Sequence, residues 1–185
     1  MVSVQPIKQL TQGLERLASK EHCLFTPADL RALLPVLSEG AFKTLLSRAV
    51  KAGYLSRVCR GLYLYERVDY PHGLLLFHAA AHLRAGTFNY ISLETALSDA
   101  GAISQIPINW ITIMSAARSN IIQCGSWGVI EFVHTSRTPD DVAGHLHYDS
   151  RYHLWRGSVE LALRDMRLTR RDIDMIDWSS VSESI

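Results

Sequence analysis

The chain is poor in cysteine. Its three cysteines, Cys23, Cys59 and Cys124, are odd in number and widely scattered. A disulfide framework needs denser, paired cysteines, so the sequence points to a fold held by its core in a reducing, cytoplasmic setting. No run of residues reaches the apolar length that spans a bilayer, and the N-terminus lacks the basic-then-apolar pattern of a secretory leader, so no membrane role is expected. A glycine-rich phosphate-cradling loop and a Gly-x-Ser-x-Gly elbow are also missing. The sequence therefore reads as a protein that is not an enzyme: no catalytic residue, cofactor or metal site is assigned. No internal repeat or low-complexity run occurs. What is present is 48% hydrophobic and 20% charged residues over 185 positions, the mix of a globular protein able to bury a core. That length admits one domain or two small ones.

The densest pattern runs from Ser38 to Tyr65. Ser38 suits an N-cap and Glu39 suits the first turn of a helix, where the dipole favours negative charge. Phe42, Leu45, Leu46, Ala49 and Val50 recur at three- and four-residue spacing and form one apolar face. The opposite face carries Lys43, Thr44, Ser47, Arg48 and Lys51. Gly53 stands where a left-handed cap would stop the helix. Leu55, Val58 and Leu62–Tyr65 have strand composition, with Arg60-Gly61 as the turn between two strands.

Upstream, Thr26, Pro27 and Asp29 predict a second helix start, with Ala28, Leu30, Ala32, Leu33 and Leu34 as its buried side. Ile7, Leu10, Leu14 and Leu17 predict an earlier helix over about residues 7–19. Three helices followed by a two-stranded wing make a winged helix-turn-helix. Residues 1–67 hold ten Lys/Arg against five Asp/Glu, a charge of +5, while the remainder is −4. A basic end on an otherwise mildly acidic chain fits contact with nucleic acid. A solvated amphipathic face also explains Lys43, Arg48 and Lys51 taken alone; Arg57 and Arg60 on the wing favour DNA. The candidate DNA-binding residues are thus Lys43, Thr44, Ser47, Arg48, Lys51, Arg57 and Arg60.

Pro71-His72-Gly73 reads as a boundary, giving a DNA-binding domain over 1–70 and a C-terminal domain over 71–185. Leu74–Leu83 is apolar nearly all round and predicts a buried helix. His78 and His82 share a helix face at a spacing that suits zinc, but no glutamate or cysteine pair accompanies them and a structural role is the better reading. Ser92 and Glu94 begin another helix that Gly101 stops. Trp110–Met114, Ile121–Cys124 and Val129–Val133 read as three strands, the last two joined through Gly125–Gly128. Helices are expected at Ser158–Met166 and Arg170–Trp178. Cys59 and Cys124 read as packing residues, Asp140-Asp141 as a helix start. Arg167, Arg170 and Arg171 read as a solvated turn rather than a second basic contact. The expected class is α+β: an N-terminal winged helix-turn-helix, then a C-terminal α+β domain with a small, mainly antiparallel sheet.

Three segments resemble, in order, the AbiEi family, the antitoxins of bacterial abortive-infection (type IV) toxin–antitoxin pairs. They are AGYLSRVCRGLYLY at 52–65, YISLETALSDAGAISQIP at 90–107 and WITIMSAARS at 110–119. The similar region spans roughly residues 8–135. Gly157–Asp165 stands where the family has an Ala-x-Pro-Glu-Arg-Ala-Leu-Leu-Asp helix but lacks the proline, and no residue for toxin neutralisation is carried over. The resemblance implies a repressor that binds inverted repeats in the operator DNA of its own promoter, with a C-terminal domain that counteracts a nucleotidyltransferase toxin without a stable complex being assumed.

Two alternatives stand beside that expectation. In one, the winged helix is structural and the C-terminal domain holds a protein partner directly. In the other, an enzyme acting on nucleic acid, no catalytic constellation supports the idea.

Overall fold

A computed structural model describes residues 5–103 and 109–182. They divide into two compact units, the first ending at Gly73 and the second beginning at Leu74.

The first unit opens with α1, Pro6–Leu17, whose Leu10 and Leu14 are fully buried. A two-residue strand, β1 (Leu24–Phe25), leads into α2 (Pro27–Ala32). Thr26 and Asp29 cap α2 reciprocally: the Asp29 N–H donates to Thr26 Oγ1 at 3.2 Å and the Thr26 N–H donates to Asp29 Oδ2 at 2.8 Å. Two free donors of the first turn are thereby satisfied within the segment itself. A turn then enters α3, Glu39–Lys51, and a hairpin follows, β2 (Leu55–Cys59) and β3 (Leu62–Tyr65). The three strands lie in the order β1-β3-β2, all antiparallel.

The core of this unit gathers Leu10 and Leu14 from α1, Leu30 and Leu34 from around α2, Phe42, Leu45, Leu46 and Ala49 from α3, and Phe25, Leu55 and Tyr65 from the sheet. Each fully buried leucine contributes about 1.5–3 kcal/mol of transfer free energy, so the apolar stripe of α3 is what seats that helix. Ala28 and Ala32, expected on the buried side of α2, are exposed. A six-residue helix has room for one buried ridge, and Leu30 takes it.

The second unit begins with α4 (Leu75–Leu83), in which Leu75 through Ala80 are buried, and β4 (Asn89–Ile91). Next come α5 (Leu93–Asp99), β5 (Trp110–Ser115), β6 (Asn120–Gln123) and β7 (Val129–His134). The chain closes with α6 (Pro139–Val142), β8 (Leu146–Asp149), β9 (Leu154–Gly157), α7 (Val159–Leu168) and α8 (Trp178–Ser182). The strand order is β6-β7-β5-β4-β9-β8.

This sheet corrects the expectation of a small one, while three of its five strand pairings are antiparallel as expected. It has six strands and is mixed, with β5 parallel to β7 over six residue pairs and β4 parallel to β9. The helix expected over 170–178 is also absent. Arg170, at φ +55, ends α7 in a left-handed cap, and Arg171 is drawn into ion pairs with Glu94 and Glu131, so the chain runs irregularly until α8. Residues 104–107 of the second family-like segment lie outside the described residues.

A buried polar cluster ties the elements of this unit together. Asp165 of α7 is fully buried; its Oδ2 accepts from Tyr90 Oη at 2.9 Å and Ser92 Oγ at 2.7 Å, and its Oδ1 receives the Arg137 guanidinium. Ser92 sits at the N-cap of α5 but makes no cap bond, because its hydroxyl is committed to Asp165.

Candidate nucleic-acid interface

The candidate site is built on α3. Ser38 Oγ accepts from the Ala41 N–H at 3.4 Å to start it. At the other end the Gly53 N–H donates to Val50 O and the Tyr54 N–H to Ala49 O, both at 3.0 Å, with Gly53 at φ +71. This double-bonded stop needs a left-handed residue, which glycine adopts without a Cβ penalty. It also sends the chain directly into β2, so the hairpin is fixed close to the last turns of α3.

The turn between α2 and α3 is pinned by Arg31. Its Nη2 donates to the Leu37 carbonyl, and its guanidinium carbon lies 5.2 Å from the centre of the Phe42 ring. Arg31 is therefore spent on holding two helices in register, although by sequence it counts only as one more positive charge.

All seven predicted residues are exposed, and they fall into three places. Lys43, Ser47 and Lys51 line a groove between α3 and the hairpin, whose other wall is Arg57 and Tyr63. Thr44 and Arg48 turn to the other flank of α3, along a second, more apolar groove bordered by the start of α1. Arg60 stands at the hairpin tip beside Gly61, which is at φ +84. The first groove thus brings together four of the seven, Lys43, Ser47, Lys51 and Arg57.

Tyr63 is the residue that the sequence pattern missed. It lies directly opposite Arg57 in the β2–β3 pairing, so the two side chains share one face of the hairpin. The available signal was register: counting back from the Arg60-Gly61 turn across the bulge between Arg57 and Cys59 pairs the two.

The charges at the site are largely uncommitted. Arg48, Lys51, Arg57 and Arg60 make no ion pair among the described residues. Lys43 pairs with Glu39 at 3.2 Å, but both side chains are more than two-thirds exposed. Such a pair is worth about 0–1 kcal/mol and yields readily to a polyanion. Thr44 Oγ1 donates to the Gly40 carbonyl at 2.9 Å, which leaves its oxygen free only to accept. Elsewhere in the unit, Lys20 pairs with Asp69 at 3.1 Å and Arg67 with Glu15 at 3.8 Å. On α1, Lys8 and Arg16 also make no ion pair among the described residues. A helix presenting hydroxyl and cationic side chains beside an arginine-bearing hairpin can engage phosphates on both flanks and place α3 side chains toward base edges.

The second unit offers no comparable surface among the residues singled out by sequence. His78 is buried, its Nε2 is 2.6 Å from the Arg151 carbonyl oxygen, and its ring stacks on His153 at 4.4 Å between centres. Burial pushes its imidazole below the ordinary value of 6.5. Arg171 is bound between Glu94 and Glu131, and Trp110 Nε1 donates to Glu131 at 3.0 Å. Among the described residues, no group of three or more His, Cys, Asp or Glu side chains is placed to hold a metal ion, and no helix is long and apolar enough to cross a membrane.

Residues 13–65 match a family model described as transcriptional regulator, AbiEi antitoxin. The matched segment runs from within α1 to the last residue of β3 and so contains α3, both groove walls and the hairpin tip. The resemblance seen at 52–65 falls inside it, and those at 90–107 and 110–119 lie beyond it. A comparison with curated proteins finds no match.

Proposed function

We propose that the first unit is a winged helix-turn-helix in which α3 is the recognition helix and the β2–β3 hairpin the wing. In this reading it binds inverted repeats in the operator of its own promoter and represses that operon. The observation that carries it is the groove between α3 and the hairpin, with Lys43, Ser47, Lys51 and Arg57 on its walls, inside the segment that matches an antitoxin regulator family. Arg57 and Arg60 hold phosphates, while Lys43, Thr44, Ser47 and Arg48 supply the base-facing surface. The second unit counteracts a nucleotidyltransferase toxin by a non-catalytic route.

Gel shifts with the chain's own upstream DNA against a scrambled duplex test the first part. Specific retardation supports it, and equal affinity for both duplexes removes the operator reading. Co-expression with the product of the adjacent gene tests the second: rescue of growth by residues 74–185 alone supports it, and rescue by residues 1–73 alone refutes it.

One observation favours a second reading, in which the C-terminal unit holds a protein partner directly. Tyr148 and Trp155 are cross-strand partners on β8 and β9, about half exposed, with their rings 5.5 Å apart. An exposed aromatic pair at a sheet edge is the kind of surface that partner proteins cover. Co-purification of the neighbouring gene product through a high-salt wash, lost on Trp155→Ala, distinguishes this reading from the first.

A further inference from the structure

Gly40 has no structural reason to be glycine. It occupies the second position of α3, a regular helical site with no left-handed φ, and a Cβ built there meets nothing within 4 Å. The other glycines of α1 to β3 are accounted for. A Cβ on Gly13 would press on the Leu33 side chain at 3.0 Å, while Gly53 and Gly61 take φ of +71 and +84. Glycine in a helix is less favourable than alanine, because it leaves more backbone freedom to be lost and adds no contact. The glycine at 40 therefore adds no contact to the fold.

Its position suggests what it serves. Gly40 precedes Lys43, Thr44, Ser47 and Lys51 by three, four, seven and eleven residues, so it lies on the same exposed face one turn nearer the helix N-terminus. Its neighbours there make local bonds. Lys43 reaches toward Glu39 at 3.2 Å, and the Thr44 hydroxyl folds onto the Gly40 carbonyl at 2.9 Å. The result is an exposed position without a side chain at the leading end of the face that carries the candidate contacts.

We propose that Gly40 is a close-approach residue for DNA: its missing side chain lets the first turn of α3 seat against the duplex at a distance a methyl group would prevent. This rests on the reading of α3 as the recognition helix. It predicts an unusual separation of effects, in which a substitution that strengthens the helix weakens binding.

The test uses the full chain as parent, Gly40→Ala and Arg57→Ala, with fluorescence anisotropy on the upstream duplex and thermal melting followed by circular dichroism. The expected result for Gly40→Ala is a Tm equal to or above the parent's and a tenfold or greater loss of affinity. If the parent and Arg57→Ala behave as DNA binder and weakened binder but Gly40→Ala binds like the parent, the close-approach role is wrong while the DNA reading survives. If Gly40→Ala loses affinity together with a lowered Tm, the glycine serves the fold and the proposal is overturned. If the parent binds no DNA, the recognition-helix reading fails, and this one with it.

Discussion

Replacing Asp165 by alanine tests how the second unit is held together. The carboxylate is fully buried and accepts from the Tyr90 and Ser92 hydroxyls while facing the Arg137 guanidinium. Its removal leaves two fully buried hydroxyls without their acceptor and a cation without its counter-charge. Removing one partner of a buried ion pair costs about 3–5 kcal/mol. The Arg137 side chain is 25% exposed and regains some water, which places the expected loss near the lower end, about 3 kcal/mol. All four tryptophans, Trp110, Trp127, Trp155 and Trp178, lie after Gly73, so their fluorescence follows this unit selectively in a urea titration. With an m-value of about 1.5 kcal/mol/M, the midpoint falls by about 2 M. Ser92→Ala, which removes one of three partners, costs about 1 kcal/mol. A midpoint for Asp165→Ala within about 0.5 M of the parent would refute the idea that this carboxylate ties α7 to β4 and to the start of α5.

Two further outcomes follow from local geometry. Gly53→Ala forces an L side chain into a left-handed conformation at the end of α3 and destabilises the first unit by about 1–2 kcal/mol, read by circular dichroism at 222 nm; an unchanged melt would show that another residue sets the stop. The second unit loses stability as pH falls below 6.5, the ordinary value for histidine, because burial lowers the His78 pKa in the fold and the unfolded chain takes up the proton first. Above 6.5 both states are neutral there and the effect vanishes. The carboxylates contribute in a separate, lower window. Asp149, held down chiefly by Arg151, contributes above its ordinary value of 3.8, and its contribution fades as pH drops below that. In tryptophan-monitored urea titrations, His78→Phe flattens the upper window and leaves the lower one; a parent-like slope just below pH 6.5 would exclude His78 as its source.

Much of the first unit was legible because its signals are local. Ser38, the apolar spacing of α3 and Gly53 each act within a few residues, and the structure has the helix where they place it. What was illegible depends on partners distant in sequence. β1 is two residues long and exists only because β3 pairs with it. β5 pairs in parallel with β7, while β6, which comes between them in sequence, lies outside at the sheet edge; no periodicity encodes that order. The 170–178 segment has helix-compatible composition, yet Arg171 finds two carboxylates from α5 and β7 and leaves the helix path. The same division holds at the candidate site. The seven exposed side chains follow from helical periodicity and turn chemistry, whereas Tyr63 enters through cross-strand register.

Joint binding of operator DNA by α3 and the hairpin is tested most directly by salt dependence on the upstream duplex. The proteins compared are the parent, Arg57→Ala, Arg60→Ala and the double variant. Each cation that neutralises a phosphate adds about 0.9 to the steepness of log K against log salt. Each single variant should therefore be shallower than the parent by about 0.9, and the double variant by about 1.8. Affinity should weaken alike for all duplexes. Parent-like slopes and affinities in all three variants would contradict joint binding and leave the basic hairpin without a nucleic-acid role.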